Sequence, residues 1–280
     1  MDNVIKKYNT LDNSIFFHHT ISGVTNNDRI YGPESHAQFE ILYLLSDGIE
    51  YVIEGEHYNV NRGDAIVVLP HEIHTIIRKG GYNYERLVIV FDVDSLYNLV
   101  SDKSEMLELF TEKVKGKRVI PKSVIDSSPL KSVFSSIMND VSVDKYCGFS
   151  FASKIFNLVI ELDKLLSSST VELLSPTSVN PLTIQAIKYI ENHLTEELNL
   201  SEIAKCLFVS KSTLCHKFKE NMNMTVNQYY TIKKIKLAEE LIKNGVTANE
   251  ACFRVGYTSY LTFYYNYKRI IGQPPSRSKK

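Results

Sequence analysis

Between residues 30 and 93, apolar and polar positions alternate or run in short bursts: FEILYLL at 39–45, EYVIEG at 50–55, DAIVVLP at 64–70 and RLVIVFD at 86–92. Gly or Asp punctuates the runs at Asp47-Gly48, Gly55, Arg62-Gly63-Asp64 and Gly80-Gly81. A period of two is that of half-buried strands, and short strands at this spacing predict an antiparallel sandwich or barrel. EYVIEG turning into EHYNV predicts a hairpin about Gly55. From about Ser95 the period lengthens toward helical. Residues 95–100 and 104–113 are short helix candidates, and 129–141 is another, with Pro129 in its first turn. The segment 149–166 is stronger, because Phe149, Ala152, Ile155, Phe156, Val159, Leu162 and Leu166 recur every three or four residues. That stripe suits packing on the chain's own barrel and suits pairing with a second copy; periodicity does not choose between them. The Ser-, Thr- and Pro-containing stretch that follows reads as a linker, 167–180.

Everything after the linker reads as helix. Ile184, Ile187, Ile190 and Leu194 mark a first amphipathic helix. Ser201 is a candidate cap for a short helix containing Ala204, and Ser210 caps a second that runs to Asn221, with Leu214 and Phe218 facing inward. A short helix, a turn and a second helix make the pattern whose second member enters a DNA major groove. The pattern returns after the long apolar-sided helix 226–243. Gly256-Tyr257 makes the turn, Ser259 caps, and Phe263 and Tyr267 take the inward places. Leu214 to Phe263, Phe218 to Tyr267, Lys219 to Lys268 and Asn223 to Gly272 are each 49 residues (263 − 214 = 49 for the first). Ala204 to Ala251 is 251 − 204 = 47 residues, so the second turn is expected to be two residues longer. Asn223 and Gly272 are residue types that accept left-handed backbone after a helix.

Charge sharpens this picture. The 280-residue chain is neutral overall. Residues 181–280 nevertheless hold 15 Lys plus Arg against 8 Glu and no Asp, 15 − 8 = +7, leaving −7 for 1–180. A basic helical block beside an acidic one fits a polyanion partner for the former alone. No apolar run reaches membrane-spanning length, and the N-terminus lacks a signal-peptide core. The four cysteines, Cys147, Cys206, Cys215 and Cys252, have no C-x-x-C spacing, which fits a reducing cytoplasm.

Three stretches, LSEIAKCLFVSKSTLCHKFK (200–219), KIKLAEELI (234–242) and ANEACFRVGYTSYLTFYYNYKRIIGQPPSR (248–277), resemble the DNA-binding domain of the AraC/XylS family of transcription regulators. The resemblance implies base contacts from the outward faces of both recognition helices. In the first copy these are Ser212, Cys215 and His216. In the second they are Tyr260, Leu261, Thr262, Tyr264 and Tyr265. Family members often carry Arg at the places of His216 and Tyr265. Its replacement argues against a guanine-centred code and toward thymine methyls or phosphates. Lys211, Lys219, Lys234, Lys268 and Arg269 are the candidate phosphate contacts.

The stretch 34–76, with its Arg-Gly-Asp turn and Pro70-x-x-x-His74, resembles the cupin-type sensor of many members of that family. Metal-binding cupins use two His, a Glu and a further His. Here Glu34 stands at the first place, followed by His36, Glu40 and His74. Regulatory cupins usually lack metal, so His36, Glu40 and His74, with His71 and Arg86 as weaker candidates, are expected to hydrogen-bond a small polar effector, and no metal or cofactor is expected. A filled barrel without ligand remains an alternative.

The expected architecture is multi-domain α+β: a cupin-like barrel with following helices at 1–166, a linker at 167–180, and an all-α domain with two helix-turn-helix motifs at 181–280. The expected function is cytoplasmic transcription regulation, as an activator, not catalysis. The expected partners are double-stranded DNA, RNA polymerase, a small-molecule effector and a second copy paired through 149–166, with no membrane. A metal-dependent cupin enzyme, and a regulator answering to a protein partner, are the competing readings; the first leaves the basic repeat unexplained.

Overall fold

The computed structural model describes residues 2–9, 15–92, 118–139, 147–168 and 171–275. The helices expected at 95–100 and 104–113 fall outside them. Backbone contacts divide the chain into two units. One comprises Met1–Gly32, Gln38–Pro70 and Ile76–Ser178; the other comprises Val179–Lys280 with the short segments Pro33–Ala37 and His71–Thr75.

The sheet-built part contains β1 (Asp2–Asn9), β2 (Ile15–Ser22), β3 (Arg29–Ile30), β4 (Phe39–Leu44), β5 (Ile49–Ile53), β6 (Glu56–Val60), β7 (Ala65–Val68), β8 (His74–Arg78), β9 (Tyr84–Phe91), β10 (Val119–Ile120) and β11 (Ser178–Val179). They form a six-stranded sheet, β1-β2-β9-β4-β7-β10, and a five-stranded sheet, β11-β6-β5-β8-β3. The expected β5–β6 hairpin pairs Ile53 with Glu56. Its two turn residues, Glu54 and Gly55, have φ 47° and 83°, the double positive φ of a type I′ turn, whose twist matches the strands. Strand alternation divides the apolar residues between two layers. Leu42, Leu44, Tyr51, Tyr58, Val60, Ile66, Val68, Tyr84 and Val88 form one cluster drawn from both sheets. The other parity of the six-stranded sheet, including Phe17, Ile41, Val67, Leu87 and Ile89, packs against α1 (Lys122–Asp126), α2 (Leu130–Met138) and α3 (Cys147–Ser167). The Arg-Gly-Asp turn is structural. Asp64 carboxylate oxygens accept from Asn61 N at 2.9 Å and Lys122 N at 2.8 Å, tying the β6–β7 turn to the start of α1.

Two of these readings are narrowed here. The α3 stripe packs on its own sheet: Phe151, Ile155, Leu158, Val159, Leu162 and Leu166 are buried in that layer, while Phe149 is 82% exposed. Burial at roughly 1.5–3 kcal/mol per large side chain makes this a strong intramolecular anchor. Much of the expected linker is also fixed to the sheets. Leu173 is buried, Leu174 N donates to Val119 O at 2.9 Å, and Thr177 N donates to His57 O at 2.7 Å. The division between units falls after Ser178.

The helical part consists of α4 (Pro181–Asn192), α5 (Leu200–Cys206), α6 (Lys211–Met222), α7 (Val226–Lys243), α8 (Ala248–Arg254) and α9 (Tyr260–Ile271). Ser210 and Ser259 cap α6 and α9, and both helices end in left-handed residues, Asn223 at φ 55° and Gly272 at φ 83°. The cap of α5 is Asn199, whose side-chain oxygen accepts from Ser201 N at 3.0 Å and Glu202 N at 3.3 Å. Ser201 therefore lies inside the helix. Thr225 and Gln228 close a capping box on α7. Two apolar clusters follow: Ile187, Ile203, Ala204, Leu214, Phe218 and Tyr229 in one, Ile235, Ala238, Ala251, Cys252, Phe263 and Tyr267 in the other. α7 contributes to both.

Candidate functional site

The duplication is regular to the residue in its second helices. α6 and α9 begin at 211 and 260, 260 − 211 = 49. The short helices begin at 200 and 248, 248 − 200 = 48. The hydrogen bonds agree, because Val209 N donates to Ala204 O and Tyr257 N to Cys252 O, both at 3.0 Å. The counterpart of Ala204 is thus Cys252, not Ala251, and the second turn is longer by one residue, not two. A one-residue slip along a helix rotates a side chain by about 100°, so Ala251 takes the place of Ile203.

Of the residues expected to contact DNA, all but one lie at least partly at the surface. Ser212, His216, Tyr260, Leu261, Thr262 and Tyr265 are exposed, and Cys215 and Tyr264 are half-buried. Lys211, Lys219, Lys268 and Arg269 are exposed. Lys234 is the exception. It is 3% exposed, and its ammonium donates to the backbone oxygens of Glu196 at 3.3 Å and Gly256 at 3.1 Å. It also lies 4.7 Å from the Tyr230 ring centroid and 5.3 Å from that of Tyr257. Burial pushes its pKa down, with Glu197 opposing. A cation whose donors are held by backbone carbonyls has no reach to a phosphate, so Lys234 leaves the contact set.

Among the barrel candidates, the structure brings His36, Glu40 and His74 together, with one ligand atom of each within 4.8 Å of the others. Their rings and carboxylate are half-buried or buried, and the two imidazoles meet edge to face, centroids 5.3 Å apart. Two imidazoles and a carboxylate suit a divalent transition metal and equally suit hydrogen bonds to a polar ligand. Glu34 is not of this group: its side chain is exposed, and it meets His74 through backbone hydrogen bonds of 2.9 and 3.0 Å. His71 is held at φ 62°, and burial lowers its pKa.

Arg86 belongs to a second cluster that sequence reasoning missed. Its guanidinium lies 4.0 Å from the Tyr84 ring, and the Tyr84 and Tyr51 hydroxyls are 3.1 Å apart in full burial. Burial pushes both phenols up. Tyr31 lies against Tyr84, centroids 5.9 Å apart. Thr20, which pairs with Arg86 across β2 and β9, and Tyr31 both bury their hydroxyl oxygens without a hydrogen-bond partner among the described residues. The available signal was strand parity: Tyr84, Arg86 and Val88 share a face, and Thr20 stands opposite Arg86.

A helical unit with two exposed, basic-flanked recognition helices, on a chain that also carries a sheet-built module with a buried polar interior, defines a DNA-binding transcription regulator with a ligand-binding module, not an enzyme. The AraC-like ligand binding domain model matches residues 19–146, and the helix-turn-helix domain model matches 203–280. Together they place the chain among regulators of the AraC/XylS type. The Msm operon regulatory protein of Streptococcus mutans is 21% identical over 99% of this chain and 98% of its own length. The Xylose operon regulatory protein of Escherichia coli K12 is 29% identical, covering 34% of this chain and 25% of that protein. Among solved structures, unsaturated-fatty-acid-bound ToxT from Vibrio cholerae aligns over 97% of this chain and 96% of that one, at 12% identity and a TM-score of 0.39. Among the described residues no helix is long and apolar enough to cross a membrane.

Proposed function

We propose that this regulator binds a small polar effector within its sheet-built module and reads two adjacent major grooves with α6 and α9. The observation supporting the effector is the pair of buried hydroxyls, Thr20 Oγ1 and Tyr31 OH, beside Tyr51, Tyr84 and Arg86. A buried hydroxyl without a partner costs about 1–3 kcal/mol, which a hydrogen-bonding ligand would recover. Base contacts come from Ser212, Cys215 and His216 in one groove and Tyr260, Leu261, Thr262, Tyr264 and Tyr265 in the next. Phosphate contacts come from Lys211, Lys219, Lys268 and Arg269. His36, Glu40 and His74 form a second set of polar contacts for the effector, the carboxylate accepting and the imidazoles donating or accepting. Pairing of two copies through α3 would use its outward residues, Phe149 and Ile160, which are 11 positions and about three turns apart on one face. Recruitment of RNA polymerase in the cytoplasm is the expected route to activation.

The test is thermal-shift screening of the full chain against polar metabolites, followed by DNA binding with and without each hit. A hit that raises the melting temperature, changes DNA affinity, and is lost in both Arg86→Ala and Tyr84→Phe supports the site. Hits unaffected by either substitution refute it. On the DNA side, Lys268→Ala is expected to weaken binding to all sequences alike and to lower the slope of log K against log salt by about 0.9. A loss confined to one sequence would reassign Lys268 to a base.

A further inference from the structure

We infer that Lys234 is a positioning residue for DNA recognition: it fastens the two helix-turn-helix copies together and so sets the half-site spacing that the chain accepts. The inference rests on the two-groove reading above.

Lys234 sits near the middle of α7, the helix that contributes to both apolar clusters. Its ammonium joins the two copies directly. Glu196 O belongs to the loop between α4 and α5 in the first, and Gly256 O belongs to the turn between α8 and α9 in the second. The joint is tight. A Cβ on Gly256 would lie 1.8 Å from Thr195 O, so only glycine permits the second turn to approach the first copy's loop this closely. The Tyr230 hydroxyl also donates to Glu196 O. Among the described residues Lys234 makes no ion pair. Its charge is met by carbonyl dipoles and two aromatic faces, an arrangement that holds a cation without a counter-charge. Such a residue adds little favourable energy, since its burial is costly, but it has directional donors on both copies. Two recognition helices about one DNA turn, roughly 34 Å, apart require a fixed separation. A base-pair insertion moves the second half-site by about 3.4 Å along the axis and by about one-tenth of a turn around it. A rigid joint would resist that change and a loose one would follow it.

The experiment starts from duplexes selected out of randomised DNA by the full-length wild-type chain and mapped by footprinting. Affinities are then measured on the selected duplex and on versions with one or two base pairs added or removed between the half-sites. For the wild type, each change is expected to cost more than about tenfold. Lys234→Met should lose affinity for the selected duplex and accept all spacers within about threefold of one another. Lys234→Arg, which keeps donors to both carbonyls, should restore the wild-type preference. A Lys234→Met protein that folds and keeps the wild-type spacer profile overturns the inference. Should Lys234→Met fail to fold, Tyr230→Phe becomes the deciding variant, because it removes the second donor on Glu196 O. A broadened profile supports the joint, and an unchanged one overturns it. No enriched sequence at all would sink the DNA reading itself. Protection over a single groove would remove the premise of two spaced half-sites and the inference with it.

Discussion

The two helix-turn-helix copies share a backbone and differ in what each asks of its turn. Phe208 and Gly256 occupy the same place, 256 − 208 = 48 residues apart, in the same left-handed conformation, φ 57° and 75°. Phe208 is 95% exposed, with its side chain in solvent. Gly256 lies where any Cβ would strike Thr195 O. A bulky side chain in left-handed backbone costs about 1–2 kcal/mol, which the first copy tolerates because the side chain stands clear of its neighbours in solvent. The second cannot, because its turn is also a joint. Glycine at such a position thus has two separable causes, backbone strain and close approach, and only the second makes it obligatory.

The largest expected effect separates these causes. Gly256→Ala adds the clash to the strain and should destabilise the helical unit by about 3 kcal/mol. Phe208→Gly removes strain but adds chain entropy to the unfolded state, so it should change stability by less than about 0.5 kcal/mol. Urea denaturation followed at the helix band measures both. Comparable effects from the two substitutions would mean that the joint at Thr195 is not rigid.

The recognition faces carry the next difference. α6 presents Ser212, Cys215 and His216, and α9 presents Tyr260, Leu261, Thr262 and Tyr265 on a comparable surface. If the aromatic face reads thymine methyls, Tyr265→Ala should cost about 1–2 kcal/mol at the half-site under α9 and leave the other half-site's base preferences unchanged. His216→Ala should do the reverse. Selection of binding sites by each variant reports this directly. Loss spread evenly over both half-sites would show that these side chains touch phosphates.

Sequence carried the repeat, its caps and its recognition helices because each has a local cause. Ser210 and Ser259 cap, Asn223 and Gly272 stop, and an inward pair four residues apart marks each core. It failed where the cause is tertiary. Lys234 belongs to a basic block, and its sequence looks like any solvated lysine; burial arises only when two distant turns converge on it. Asn199 displaced Ser201 as the cap because both residue types qualify within three positions, and packing of Ile203 and Ala204 decides where the helix starts. The barrel's Tyr51–Tyr84 pair was missed for the opposite reason: tyrosines inside apolar strands read as core, and only cross-strand pairing shows that their hydroxyls meet. The α3 stripe was visible, but the surface it would cover was not.

The smallest effect compares the caps themselves. Ser210 Oγ accepts from Thr213 N at 3.0 Å and shares a second hydrogen bond with Thr213 Oγ1 at 2.8 Å. Ser259 Oγ accepts from Thr262 N at 3.4 Å, near the limit at which such a bond contributes. Replacing a well-made serine cap with alanine costs about 1 kcal/mol, so Ser210→Ala should cost about that and Ser259→Ala about half as much. The asymmetry has a local origin. The second turn is one residue longer and approaches Thr195 closely at Gly256, and a pull of that joint on Ser259 would account for the longer bond. Loosening that joint should therefore let the second cap tighten. In a Lys234→Met background the cost of Ser259→Ala should rise toward that of Ser210→Ala, measured as a double-mutant cycle by urea denaturation. Strict additivity of the two substitutions would show that cap and joint are independent, and that the long second bond belongs to the cap alone.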